Sequence, residues 1–141
     1  MTAAPSGYSG TPLPRKLGIK PGSRLALVGA PEDLGETLGE LPDGVVIRRR
    51  AQGPCDVIVA WFTSAVELER RLPALKRALD PAGGLWIAWP KRLSGVPTDL
   101  GEGFVREAGL AAGLVDNKVC AIDETWSGLR FVYRVRDRPA G

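Results

Sequence analysis

The side chains best suited to chemistry lie in the loop that follows the fourth predicted strand. Residues 90–99 carry a lysine, a serine and an acid, namely Lys91, Ser94 and Asp99. A loop lysine can anchor an anion and, if water is excluded, act as a base or nucleophile. Lys91 and Asp99 are therefore the candidate catalytic residues, and Lys91 and Ser94 are candidate ligand contacts. The alternative is a solvated lysine in an ordinary loop, and we favour that interpretation.

The chain contains no histidine. This excludes Ser-His-Asp triads, Cys-His pairs, imidazole bases and histidine-ligated metals. Its two cysteines, Cys55 and Cys120, are too few for a zinc site without other ligands. Each lies in an apolar run, so we predict two buried thiols and no metal.

The net charge is +3, with a pI near 9.1. Arginine concentrates in two places, 48–50 and the C-terminal series Arg130, Arg134, Arg136 and Arg138. Such clusters can bind nucleic acid or an acidic partner. No aromatic ladder accompanies them, so a solvated arginine edge is the favoured interpretation.

No apolar run approaches the roughly 20 residues that span a bilayer. The first residues lack the basic start and apolar core of a signal peptide. We therefore expect a cytoplasmic protein without a membrane segment.

Strand-like and helix-like segments alternate along the chain, which predicts an α/β domain with a mostly parallel sheet of about six strands. The expected organisation is an N-terminal arm over 1–20, the domain over 21–137 and a tail over 138–141. The last two strands should form an antiparallel hairpin, and one face of the final strand should be exposed to solvent. The predicted strands are 25–28, 45–47, 56–62, 85–89, 115–123 and 129–136.

Helix signals lie between these strands. Ser64 and Glu67 fit a capping box at the start of the longest helix, which contains Pro73 and should end at the turn over 80–84. Asp99 and Glu102 are candidate caps of the next helix, whose buried side should carry Phe104, Val105, Ala108 and Ala111.

In an open parallel sheet, ligands bind beyond the carboxyl ends of the strands, where the strand order reverses. Here that position lies between the first and third strands. Its rims are Gly29-Ala30-Pro31 on one side and Phe62-Thr63-Ser64 on the other. The candidate ligand contacts among them are Gly29, Ala30, Thr63 and Ser64. Simple helix capping by Thr63 and Ser64 is the alternative that we favour.

Two further features could cover a ligand. Trp126 is expected in a turn, although large aromatic side chains prefer burial. Tyr8 and Thr11 lie in the arm, which could form a lid if it folds back over the strand ends.

The stretch CDVIVAWF, a long helix, LDPAGG and LWIAWP resembles the middle of a class I methyltransferase, and GLVDNKVCAIDETWSGLRFVYRV resembles its C-terminal hairpin. This resemblance covers about residues 21–137 and implies a truncated, three-layer Rossmann-like fold. GYSGTPL, KLGIKPG and DETWSGLRF together are similar to a bacterial family of small proteins of unknown function. That likeness covers nearly the whole chain and implies no activity.

The resemblance to methyltransferases also implies a glycine-rich turn after the first strand and an acid after the second. This chain has Val28-Gly29-Ala30-Pro31-Glu32 and the arginines 48–50 at those positions. Both departures disfavour S-adenosylmethionine in its usual pose, and the missing G-x-G-x-x-G motif disfavours NAD. Acids at 32 and 33 disfavour a phosphate at that helix start.

Three functional hypotheses follow. The first is a binding or regulatory module without standard cofactor chemistry, for an unknown small molecule or protein partner. The second is a divergent S-adenosylmethionine-dependent methyltransferase-like enzyme. The third is a binder of nucleic acid or of an acidic partner, and the sequence leaves monomer and dimer open.

Overall fold

The computed structural model describes residues 11–139. They form one six-stranded sheet, which positions the candidate site residues within this range. Tyr8 lies outside the described residues. The strands, in spatial order, are β2 (Val46–Arg48), β1 (Arg24–Val28), β3 (Cys55–Trp61), β4 (Leu79–Pro90), β6 (Trp126–Tyr133) and β5 (Leu114–Ala121). The helices are α1 (Leu13–Leu17), α2 (Leu34–Leu38), α3 (Ala65–Ala78) and α4 (Glu102–Ala111).

The first four strands are parallel to their neighbours, and β6 runs antiparallel to both β4 and β5. From β1 the chain moves outward to β2 and then returns to the other side of β1 to form β3. The strand order therefore reverses between β1 and β3, as predicted. The α/β, Rossmann-like class with a closing antiparallel hairpin is confirmed.

Alternate residues of each strand enter opposite layers, because successive side chains point to opposite faces of a sheet. Ala26, Ile58 and Leu85 face α3 and α4. Their neighbours Leu25, Val57 and Trp86 face α1 and α2. The result is the predicted three-layer arrangement with two apolar clusters.

The α1 segment lies inside the predicted arm, yet Leu13, Leu17 and Ile19 are buried. The indole nitrogen of Trp86, itself fully buried, donates a hydrogen bond to the Leu17 carbonyl at 3.0 Å. Packing of three apolar side chains and one buried hydrogen bond therefore draws the chain into the fold before residue 21.

The β4 strand begins at Leu79, six residues earlier than predicted. Cys55 pairs with Leu79 and Val57 pairs with Gly84, so four residues of β4 bulge out opposite one residue of β3. As predicted, α3 ends just before the segment 80–84, at Ala78, but that segment forms a bulge within β4 rather than a turn.

The β6 strand begins at Trp126 and ends at Tyr133. It lies between β4 and β5, and its Leu129, Phe131 and Val132 are buried. The prediction of a wet last strand was wrong, since the exposed edge strand is β5, where Val119 is 57% exposed.

The helix predictions have mixed outcomes. The Ser64 hydroxyl accepts a hydrogen bond from the Glu67 amide at 3.3 Å, which confirms the cap of α3. The reciprocal bond of the capping box is replaced, because the Glu67 carboxylate accepts from Arg70. In α4, Val105 is buried as predicted, whereas Phe104 and Ala111 are exposed and Gly109 contacts the sheet instead.

Within residues 11–139, no helix has the length and apolarity needed to cross a membrane. Cys55 is buried and Cys120 half-buried, and burial raises the pKa of both thiols. The described residues also hold no group of three His, Cys, Asp or Glu side chains that could bind a metal ion.

Candidate functional site

A cleft of about 310 Å³ opens at the carboxyl ends of β1 and β3, where the strand order reverses. We name it the switch-point cleft. Three of the four residues predicted for this position, Gly29, Thr63 and Ser64, line it. The other lining residues are Val28, Arg49, Trp61, Phe62, Glu67 and Arg71.

Gly29 has a conformational reason to be glycine. Its φ is +71°, in the left-handed region, and an added Cβ would lie 3.1 Å from the carbonyl oxygen of Trp61. The turn after β1 is therefore pressed against the end of β3. Ala30, predicted as a contact, packs against the apolar cluster beneath α1 and α2 instead of lining the cleft.

Two amides at the start of α3 already have side-chain partners. The carboxylate of Asp99 accepts a hydrogen bond from the Ala65 amide at 2.8 Å, and the Ser64 hydroxyl accepts from Glu67. Asp99 was predicted to cap α4 and instead caps α3, because the loop after β4 folds back over the end of β3. The Thr98 hydroxyl donates to the Thr63 carbonyl at 2.7 Å and holds that loop in place.

Arginine dominates the charge of the switch-point cleft. Arg49 and Arg71 are exposed, and neither forms an ion pair with any side chain in the described part of the chain. Glu67, the one acid that lines the cleft, is paired with Arg70. These four side chains sum to a charge of +2, so the cleft favours a negatively charged ligand.

Sequence reasoning noted Arg49 only as part of a basic run and did not single out Arg71. A usable signal existed for Arg71, because it follows Glu67 by one helical turn and therefore shares its face of α3.

A second cavity, of about 520 Å³, lies between the loop after β4 and the start of α4. We name it the loop cavity, and Lys91 lines it. Ser94 is not among its lining residues, and its hydroxyl accepts a hydrogen bond from the Val96 amide within the loop. The structure does not bring Lys91 and Asp99 together as an ion pair among the described residues.

Trp126 and Thr11 line neither cavity. Trp126 begins β6 opposite Pro90 and packs half-buried against the α1–α2 cluster, so it is a strand residue rather than a turn residue. Thr11 is half-buried and precedes α1. The role of each in ligand binding stays a prediction.

The two arginine clusters do not form one surface. Arg48 belongs to the edge strand β2 and donates to the Gln52 carbonyl, whereas Arg130 belongs to β6. Three strands, β1, β3 and β4, separate them in the sheet. A nucleic-acid backbone that contacts both arginine clusters would have to cross these three strands.

A family model described as "Protein of unknown function (DUF3052)" matches residues 15–135. The chain therefore belongs to the DUF3052 family, which confirms the resemblance to a family of unknown function. A search of curated protein sequences finds no match.

Several solved structures share the fold at low identity. A S-adenosylmethionine-dependent methyltransferase from Aquifex aeolicus is 20% identical, with a TM-score of 0.58, over 83% of this chain and 85% of that one. A ribosomal protein L11 methylase from Lactobacillus delbrueckii is 14% identical, with a TM-score of 0.57, over 86% and 75%. Magnesium protoporphyrin IX methyltransferase from Synechocystis, with bound S-adenosylmethionine, is 12% identical, with a TM-score of 0.56, over 86% and 74%. These similarities show a methyltransferase-like fold and no more.

The residues of the switch-point cleft do not fit S-adenosylmethionine in the pose that the resemblance implies. That pose needs an acid after β2, where this chain has Arg49, and bare glycine backbone after β1, where it has Gly29 alone. The α2 helix that follows β1 has only five residues. We therefore derive no reaction step through this cofactor.

Proposed function

We propose that the chain is a ligand-binding module that takes a small anion in the switch-point cleft and carries out no group transfer. The observation that carries this proposal is the pair Arg49 and Arg71, exposed and without ion pairs among residues 11–139, at the edge where ligands enter parallel sheets. Guanidinium groups bind carboxylates and phosphates through paired hydrogen bonds.

The chemistry of the other side chains supports binding without catalysis. The Ser64 hydroxyl and the Asp99 carboxylate are both engaged by amides of α3. A general base must reach the proton that it removes, and these two groups are committed to the fold. Lys91 lines the separate loop cavity together with Glu102, and it forms no ion pair with a side chain of residues 11–139.

The position of the ligand also follows from the helix start. Because the amides of Ala65 and Glu67 are occupied, the anion would contact the arginine side chains rather than the N-terminus of α3. The expected ligand is therefore small and held by side chains. A cleft of about 310 Å³ is at the lower end of the range for small-molecule pockets.

A thermal-shift panel of S-adenosylmethionine, S-adenosylhomocysteine, NAD, ATP, phosphate and citrate tests this proposal. A ligand at a hundred times its Kd stabilises a folded protein by about 2.7 kcal/mol. We expect a response to at least one simple anion that Arg49→Gln and Arg71→Gln each reduce. Arg77→Gln, which removes an exposed arginine elsewhere on α3, is the matched control.

The alternatives have distinct outcomes in the same panel. A response to the two adenosyl compounds alone would replace this proposal with a divergent methyltransferase-like enzyme. Anion binding that survives both cleft variants would also refute it, because the arginines would then play no part.

A further inference from the structure

A third cavity, of about 350 Å³, lies at the opposite end of the sheet, beside the amino ends of the parallel strands. We name it the amino-edge cavity. Its walls come from the turn before β1, the bulge of β4 and one side chain of β6. The residues that line it are Gly18, Lys20, Pro21, Gly22, Ser23, Asp56, Val57, Ala82, Gly83 and Arg130.

Arg130 is half-buried in the middle of the sheet, and neither a hydrogen bond nor an ion pair from its side chain to residues 11–139 is present. The other arginines in the described strands have partners, since Arg24 pairs with Asp56 and Arg48 donates to the Gln52 carbonyl. Burial is the main cause that lowers the pKa of Arg130, and the charge of Arg138 adds to it. Burying a guanidinium that has no carboxylate partner costs free energy, unless a bound anion pairs with it.

The backbone is shaped to seat this guanidinium. Gly84 faces Arg130, and a Cβ at Gly84 would lie 2.6 Å from both Cζ and Nη2 of Arg130. Any larger residue would displace the side chain. The same bulge carries Gly83, whose added Cβ would collide with the Asp56 carbonyl at 2.5 Å. Gly84 therefore makes the space that Arg130 occupies, and Gly83 allows the bulge to lie close to the backbone of β3.

The acid in this cavity is already neutralised. Asp56 accepts from Nε and Nη2 of Arg24 at 2.9 and 2.8 Å and from the Arg24 amide at 2.8 Å. Asp80 lies 3.4 Å from the same guanidinium. Among the described side chains, the cavity lining and the ion pairs of Arg24 together hold the cations Lys20, Arg24 and Arg130 and two carboxylates, which leaves one positive charge in excess. Asp56 is held by Arg24 and does not pair with Arg130.

We infer that the amino-edge cavity is a second ligand site, in which Arg130 on its Gly84 seat binds a small carboxylate or phosphate. Lys20 at the rim supplies a second positive charge. Planar guanidinium groups bind both kinds of oxyanion through two parallel hydrogen bonds. The site is independent of the switch-point cleft, which lies at the other edge of the sheet.

Calorimetric titration of the full chain with inorganic phosphate and, separately, with citrate tests the inference. We expect binding of at least one anion whose Kd rises tenfold or more in Arg130→Gln. Arg136→Gln, which removes an exposed arginine after β6, should leave that Kd unchanged. Tighter binding of citrate would identify a carboxylate ligand, and tighter binding of phosphate would identify a phosphorylated one.

Gly84→Ala separates a built site from general attraction to a basic protein. It keeps every charge and displaces only the guanidinium, so it should raise the Kd as Arg130→Gln does. Circular dichroism must show that each variant is folded. If Arg130→Gln does not fold, Arg130→Lys replaces it, because a lysine keeps the charge without the planar fork.

Three results would overturn the inference. They are no heat with either anion, binding unaffected by Arg130→Gln and Gly84→Ala, and loss of binding in Arg49→Gln or Arg71→Gln alone. Loss in the Arg49 and Arg71 variants would leave the proposed function standing. Loss in the Arg130 and Gly84 variants alone would support the amino-edge site and refute the proposed function.

Discussion

Two glycines of α4 provide a matched pair for measuring how tightly this helix packs on the sheet. An added Cβ at Gly109 would lie 2.5 Å from Cδ1 of Phe131 and closer still to two other ring atoms. At Gly103 nothing lies within 4 Å of an added Cβ. We therefore compare Gly109→Ala with Gly103→Ala.

Replacing glycine by alanine within a helix stabilises the helix by about 1 kcal/mol, and both variants share this gain. Phe131 is fully buried in β6, so the ring cannot move away freely. Overpacking of a core costs about 1–3 kcal/mol. The difference in the free energy of unfolding between the two variants should therefore be about 1–3 kcal/mol, with Gly109→Ala the less stable.

Urea unfolding followed by circular dichroism measures this difference, and the slope with denaturant should not change. In a thermal melt the same difference corresponds to about 3–10 °C, from an unfolding entropy of about 2.1 cal/mol/K per residue. Equal stability of the two variants would refute the reasoning, because it would mean that α4 does not press on Phe131.

Two further predictions concern one hydrogen bond and one ion pair. Trp86→Phe leaves the buried Leu17 carbonyl without its hydrogen bond. It should lower the free energy of unfolding by about 1–3 kcal/mol more than Trp89→Phe, because the Trp89 indole has no protein partner among residues 11–139. Equal losses for the two variants in urea unfolding would contradict this prediction. The Arg24 guanidinium lowers the pKa of Asp56, so the stabilisation is present above the carboxyl's ordinary pKa and is lost as the pH falls through the lowered one. Asp56→Asn should therefore be less stable than the wild type at pH 7, and the difference in free energy of unfolding should shrink in strong acid. A difference that stays constant from pH 7 to pH 2 would contradict the assignment.

Much of the fold could be predicted because buried parallel strands are short, continuous apolar runs. The β3 strand carries such a run, and its position was correct to within one residue at each end. The bulge in β4 could not be predicted in this way, because Pro81, Gly83 and Gly84 have the composition of a turn. The role of Gly84 depends on Arg130, which lies 46 residues later in the sequence and reaches it only in the folded sheet.

The same limit applies to the candidate site. The carboxyl edge between β1 and β3 followed from topology, and Gly29, Thr63 and Ser64 do line the cleft there. Asp99 was assigned to the helix nearest in sequence, but its hydrogen bond reaches Ala65, in a different helix. Local pattern recognises a capping residue and does not show which helix receives it.

The order of the strands in the sheet has a consequence for the nascent chain. Strand β4 carries the apolar run LWIAW and pairs with β3 on one side and with β6 on the other. Translation produces β6 last, after α4 and β5, so the second edge of β4 remains unpaired while about forty further residues are made. An unpaired apolar edge is a template for aggregation, and slow, long-range pairing prolongs it. The C-terminal hairpin is thus the segment whose arrival protects the centre of the sheet during synthesis.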